Sequence, residues 1–237
     1  MMKRAIAIIT ARGGSKRIPH KNINNFCGRP IIEYSIDAAQ NSGIFDEVMV
    51  STDDDKIAWI AQKMGAHVPF MRSKHTSGDF ATTREVLMEV LSEYRKLGES
   101  FAYMACIYPT APFVTAQKLK YALEVLIEKN CIEVEPVVKF SYPPQRAYVV
   151  DDSSYLKYKW PEHRNSRSQD LESYYYDAGQ FYFYDVKRYL ERLGDVTEGI
   201  CPIIMPEYEV QDIDTEDDWK LAELKYKHMK EKELGKL

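Results

Sequence analysis

The stretch AIAIITARGGSKRIPHKN, Ala5 to Asn22, decides how the chain is read. Its opening is an unbroken apolar run closed by a threonine, the pattern of a strand buried on both faces of a parallel sheet. The remainder holds adjacent glycines, Gly13 and Gly14, and five basic residues, Arg12, Lys16, Arg17, His20 and Lys21, with no acid among them. In an open α/β sheet ligands collect beyond the carboxyl ends of the strands, and this loop leaves the first strand there. The glycines let the main chain approach a ligand and turn N–H groups toward an anion. Arg12, Lys16 and Lys21 can neutralise phosphate oxygens. The loop is neither a GxxxxGK[ST] phosphate loop nor a GxGxxG dinucleotide turn. Charge and glycines alone leave a solvated basic loop as the alternative.

Outward from this loop the chain alternates between strand and helix patterns. Pro30 stands at the start of a helix through IIEYSIDAAQ that Gly43 stops. EVMVST (47–52) reads as a second strand, and the acids Asp53 to Asp55 cap a helix that runs to about Met64. Thr82 or Thr83 caps the next helix, whose Val86, Leu87, Val90, Leu91 and Tyr94 share one face. YMACIY (103–108) is a third buried strand, followed by an amphipathic helix carrying Leu119, Ala122, Leu123, Leu126 and Ile127. Such alternation implies right-handed crossovers and a mostly parallel sheet. From residue 132 the texture turns β-rich and is broken by Pro143 and Pro144. The expected division is a core of residues 1–131 and 174–237 with an inserted β-rich lobe, 132–173. GQFYFYD (179–185) and CPIIMP (201–206) return as strands, and a charged helix closes the chain from about Glu216.

Composition bounds the function. With 237 residues, 45% hydrophobic and 29% charged, the chain suits one sizeable globular domain. A net charge of −4 argues against a nucleic-acid partner, so the basic loop is a local feature. No apolar run nears the ~20 residues a bilayer span needs, so no membrane association is expected. Ala5 to Ile9 is also too short for a signal-peptide core. The four cysteines, Cys27, Cys106, Cys131 and Cys201, form no CxxC pair. The expectation is therefore free thiols in a reducing cytoplasm.

Several motifs together resemble the CMP-sialic acid synthetase family, the cytidylyltransferases that activate nonulosonic acids. They are ARGGSKRIPHKN, GRPIIEYSIDAA, VMVSTDDDKIA, GAHVPFMRSKHTSGDFATT, YPTAPF and VQDIDTEDDW, in the family's order and spacing. The resemblance implies a nucleotide-diphospho-sugar transferase type of α/β fold, with CTP bound at the strand ends. It also implies attack of a sugar acid's anomeric hydroxyl on the α-phosphate. Matched position by position, Arg12, Ser15 and Lys21 grip the triphosphate or reacting phosphate, with Asn22 beside them. Arg12 and Lys21 are the expected catalytic pair. Arg72 lines the nucleotide pocket and Thr83 lies near the base. Asp212 and Asp214, two apart, can present both carboxylates on one side and hold Mg²⁺; capping of the last helix by Asp214 or Thr215 is the competing role. Tyr108 stands where the family usually has glutamine, and FSYPPQRA with YYDAGQFYFYD resembles the branch that activates pseudaminic acid for surface or flagellin glycosylation. Candidate sugar contacts are Tyr108, Gln145, Arg146, Asp177, Gln180 and Tyr182, with Arg146, Arg164 and Arg167 competing for the sugar carboxylate. The family pattern further implies a homodimer formed through the lobe. The alternatives are sialic, legionaminic or 3-deoxy-manno-octulosonic acid as the sugar, or a non-catalytic nucleotide binder of the same fold.

Overall fold

The computed structural model describes residues 4–233; residues 1–3 and 234–237, counted in the core above, lie outside them. Strand β1 (Ala5–Thr10) leads through the basic loop to a two-strand ribbon, β2 (Asn25–Phe26) and β3 (Arg29–Pro30), and into α1 (Ile32–Ser42). That helix stops at Gly43, whose φ of 63° is the left-handed conformation a Cβ disfavours. After β4 (Glu47–Ser51), the helix α2 (Asp55–Lys63) begins at Asp54, whose side chain accepts from the amides of Lys56 and Ile57. A short α3 (Lys74–Ser77) precedes α4 (Thr83–Lys96). There Thr82 and Glu85 satisfy each other's amides in a capping box, which settles the choice between Thr82 and Thr83. Next come β5 (Tyr103–Ile107), α5 (Ala116–Glu128) and β6 (Glu133–Lys139). The hairpin β7 (Tyr148–Val150) and β8 (Leu156–Tyr158) forms the lobe. The chain returns through β9 (Tyr175–Asp177), β10 (Phe181–Asp185), α6 (Val186–Glu191), β11 (Ile200–Ile204) and α7 (Glu216–Glu233).

The main sheet has the order β11-β6-β10-β5-β1-β4, with β9 also paired to β6. Within it only β9 and β10 run against the rest, so the sheet is mostly parallel as the alternation implies. One face packs α1, α2 and α5 through Ile32, Ile36, Ile57, Ala61, Leu119 and Leu126. The other packs α4 and α6 through Leu87, Val90, Leu91 and Tyr189. A third cluster, Ile18, Phe26, Ile31, Tyr34, Phe113, Ile213 and Trp219, fastens α7 to the basic loop's far side.

Two expectations are corrected. Residues 133–139, assigned to the lobe, are the strand β6 between β10 and β11, so the excursion starts after Lys139. Val134 and Val138 are buried in the core while Glu133 and Glu135 alternate onto the other face. A strand with charged residues on one face does not read as part of a doubly covered sheet. The cysteines are corrected too: Cys131 and Cys201 form a disulfide, while Cys27 and Cys106 are free. Their 70-residue separation hides a contact that arises only when β11 lies beside β6, with Cys201 opposite Val134. Protein purified without reductant and then unfolded should titrate two thiols; four would overturn the pairing.

Glu133 supplies a second prediction. It is 7% exposed, and burial, followed by the charge of Glu135, pushes its carboxyl up to about 7. Between the ordinary carboxylate range and pH 7, native Glu133 keeps a proton that the unfolded chain releases. Stability from this group therefore falls as pH rises through that window, and above it the native state bears the full cost of a buried charge. Glu133→Gln should stabilise by about 2 kcal/mol at pH 8, a figure lowered for residual solvent screening, and change little at pH 5. Urea midpoints of both proteins at the two pH values check this; an equal difference at both would refute it.

Candidate active site

β1, β4 and β5 end together at the carboxyl edge of the sheet, and a cleft of about 250 Å³ opens there. Arg12, Ser15, Lys16, Arg17, Lys21 and Asn22 line one side, and Arg72, Thr83 and Tyr108 the other. Residues chosen from three separated motifs thus meet in one place. Of the two glycines, only Gly13 is sterically required. Its amide donates to Asp53 at 2.8 Å, and a Cβ there would lie 2.8 Å from the Asp54 Cβ. A Cβ on Gly14 would meet open space. Asn22 is buried and its side-chain amide donates to the Arg12 carbonyl at 2.8 Å, so it closes the loop on itself. His20, at φ 54°, makes the turn that brings Lys21 around.

Lys21 Nζ donates to the Ile213 carbonyl at 2.6 Å and lies 3.5 Å from Asp214. Arg17 is 2.7 Å from the same carboxylate. Ile213 is buried between Asp212 and Asp214, which leaves both acids on the outer side of the segment. Of the two capping candidates it is Thr215 that caps the helix: Thr215 N donates to Asp218 at 2.8 Å and Asp218 N to the Thr215 hydroxyl at 3.2 Å, so the Asp214 side chain is not used as the cap. Burial and the charge of Asp214 raise the Asp212 carboxyl above its usual range. Among the described residues no three His, Cys, Asp or Glu side chains cluster for a metal. Two carboxylates beside a cluster of cations fit Mg²⁺ in their donor chemistry, since that ion keeps several waters and needs few protein oxygens.

Arg72 is buried against β4, where its guanidinium donates to the Ser51 hydroxyl at 3.0 Å and the Ser51 carbonyl at 2.7 Å. Burial lowers its pKa from the ordinary arginine value. The Thr83 hydroxyl stands 3.4 Å from that of Tyr108. The Tyr108 ring meets Tyr182 edge-on at 5.6 Å, and Tyr182 OH donates to Asp177 at 2.6 Å. Asp177 also accepts from Gly179 N at 2.7 Å, which shapes the turn between β9 and β10. Gln180 is buried, its side-chain amide donating to the Glu209 carbonyl at 2.6 Å. Of the six candidate sugar contacts only Tyr108 lines the cleft; Asp177, Gln180 and Tyr182 lie behind it, and Gln145 and Arg146 are farther off. They lie on the lobe, where Gln145 donates to the Glu172 carbonyl and Arg146 to the Ser168 hydroxyl. Of the competing arginines, Arg167 is paired with Asp170. Sequence reasoning missed Arg17, Asp53 and Asp79 as parts of the site. Arg17 could have been found, since it sits inside the basic run; the two acids come from other loops, and nothing local marks them.

A sheet edge that gathers this many cations beside a carboxylate pair has the chemistry to receive a polyanion. The chain belongs to the cytidylyltransferase family, whose model matches residues 6–217. It is 40% identical to a pseudaminic acid cytidylyltransferase of Campylobacter jejuni over 94% of this chain and 96% of that one. It is 31% identical to a CMP-N,N'-diacetyllegionaminic acid synthase of Legionella pneumophila over 93% and 95% of the two chains. A solved CMP:2-keto-3-deoxy-manno-octonic acid synthetase in complex with CTP superposes with a TM-score of 0.68 at 18% identity. That match covers 96% of this chain and 99% of that one, and it bears on the fold.

Proposed function

We propose that the protein transfers CMP from CTP to the anomeric hydroxyl of pseudaminic acid, giving CMP-pseudaminic acid and pyrophosphate. The observation that carries this reading is the single cleft joining Arg12, Ser15, Lys16, Lys21 and Arg72. The 40% identity to the Campylobacter jejuni pseudaminic acid cytidylyltransferase supports the choice of sugar. In the reaction the sugar hydroxyl oxygen bonds to the α-phosphorus as the bond to the β-phosphate oxygen breaks. Pyrophosphate leaves with that electron pair, and the hydroxyl proton passes to solvent water. Such a displacement is accelerated chiefly by positioning and by fixed charge around the phosphates.

In this reading Lys21 and Arg17 act on the α-phosphate, and Arg12, Lys16 and the Gly14 amide on the leaving phosphates, since the Gly13 amide is spent on Asp53 and that of Ser15 on the Gly13 carbonyl. Lys21 is held on the Ile213 carbonyl before substrate arrives, so its charge needs no reorganisation. Arg72 and Thr83 offer donors to cytosine, whose O2 and N3 accept while N4 donates, and such a pocket disfavours uracil. Asp212 and Asp214 would hold Mg²⁺, which supplies charge neutralisation at the phosphate oxygens. Tyr108 is the aromatic residue of the cleft offered to the sugar, backed by Tyr182 and Asp177, while buried Gln180 donates to the Glu209 carbonyl and braces the strand behind them. Gln145 and Arg146 belong to the lobe, and in this reading they would reach the sugar of a second copy in a homodimer. The lobe's exposed Val150, Tyr155 and Leu156 and the exposed Ile204 of β11 support such a dimer. Among the described residues no helix is long and apolar enough to cross a membrane. A cytoplasmic location, with CTP at hand, completes the proposal, and the product serves surface or flagellin glycosylation.

The test is pyrophosphate release from CTP and Mg²⁺ with pseudaminic, legionaminic, sialic and 3-deoxy-manno-octulosonic acids. Turnover with pseudaminic acid above the others is expected. Preference for another acid would overturn the sugar assignment, and no turnover with any would overturn the enzymatic reading.

A further inference from the structure

Four cations of the cleft are already neutralised by carboxylates of the chain itself. Asp214 serves Arg17 and Lys21. Asp79 serves the other two: one carboxylate oxygen accepts from Arg12 at 3.0 Å and the other is paired with Lys16. Arg12 donates as well to the Gly78 carbonyl, at 3.2 Å. These two cations hold the Asp79 carboxyl below its usual range. Arg12 and Lys16 are also the cations that the leaving phosphates would need. A phosphate drawn to both cations comes up against the Asp79 carboxylate, and the repulsion between the two anions sets them in competition for Arg12 and Lys16.

The segment that carries Asp79 is free to yield. Its base is anchored, with Arg72 buried on Ser51 and with Ser73 and Thr76 bonded to Glu89. Its tip has no apolar anchor, because Phe80 is 98% exposed. The tip's ties to the loop opposite are the ion pairs of Asp79 and the bond from Arg12 to Gly78. Breaking them disturbs no part of the core.

We infer that Asp79 is an internal stand-in for the terminal phosphates, neutralising Arg12 and Lys16 between turnovers, yielding to an incoming nucleoside triphosphate and returning as pyrophosphate departs. This rests on the nucleotidyl-transfer reading above. It makes Asp79 a selectivity residue. Ligands whose phosphates reach Arg12 and Lys16 must displace it, whereas CMP, whose one phosphate lies at Lys21, need not. The carboxylate therefore weakens CTP and pyrophosphate binding and leaves CMP binding alone.

Calorimetric titration of CTP, pyrophosphate and CMP in Mg²⁺ buffer, on the wild type and on Asp79→Asn, decides the matter. Two exposed ion pairs correspond to a change of about 10-fold. Asp79→Asn should bind CTP and pyrophosphate ~10-fold more tightly, with CMP affinity unchanged, and Asp79→Ala should follow, which excludes an effect of the new amide. Weaker binding of CTP and pyrophosphate would show that Asp79 holds Arg12 and Lys16 in place for the ligand, and would overturn the inference. Unchanged binding would overturn it equally. Failure of the wild type itself to bind CTP and pyrophosphate would overturn the proposed function and this inference together.

Discussion

Lys21→Ala should lower kcat/KM ~100- to 1,000-fold while leaving the fold intact. The lysine side chain is one-fifth exposed, pinned by the Ile213 carbonyl at 2.6 Å and faced by Asp214 at 3.5 Å. Its ammonium is thus aimed by a carbonyl whose residue is buried in the third core cluster. Alanine removes the charge and leaves Asp214 facing the phosphates with Arg17 as its one remaining partner. Charge develops on the α-phosphate and the leaving oxygen in the transition state, so the loss should fall on kcat more than on CTP binding. Lys21→Arg keeps the charge, but its planar fork cannot sit on the same carbonyl in the same way, and it should recover only part of the rate. Thermal midpoints of both variants should stay close to that of the wild type. A rate loss below about fivefold for alanine would reduce Lys21 to a solvated loop residue and return the loop to the blander reading its charge alone permits.

How far the sequence could be read depended on whether the relevant residues were neighbours in the chain. β1, the stop at Gly43 and a cap at Thr82 or Thr83 were readable because each is a local pattern of burial, backbone freedom or side-chain reach. The basic loop announced itself because its glycines and cations are contiguous. β6 was misplaced because its partners, β10 and β11, arrive much later in the chain, and a strand with Glu133 and Glu135 on one face does not look central. The Cys131–Cys201 bond was hidden for the same reason. Asp53 and Asp79 show the limit within the site itself. One orients Gly13 and the other neutralises Arg12 and Lys16, yet each lies on a different loop from its partner and carries no signature beyond being an acid. The sugar side was least readable, since Gln145 and Arg146 sit on a lobe outside the cleft of the single chain.

Phe26→Ala should cost about 4 kcal/mol of stability, and it should disturb catalysis although the ring touches no substrate. Phe26 is fully buried and meets Tyr34, Trp219 and Tyr226 edge-on, each at 5.6 Å between ring centres. Deleting the ring removes a large apolar side chain, leaves a cavity, and forfeits three favourable aromatic contacts. Two of those partners, Trp219 and Tyr226, belong to α7, so the cavity opens between that helix and the rest of the molecule. Ile213 belongs to the same cluster, and its carbonyl aims Lys21. The strain of repacking should therefore reach the cleft through Ile213 and blunt kcat several-fold at temperatures where the variant is still folded. Phe26→Leu fills most of the volume and should cost about 1–2 kcal/mol with little change in kcat. Urea unfolding gives the first quantity and turnover well below the transition the second. A stability loss under about 1 kcal/mol would mean that α7 is held by something other than this cluster. A large loss with kcat unchanged would show that Lys21 keeps its place without Ile213, and the carbonyl contact would then be a consequence of the loop's shape and not its cause.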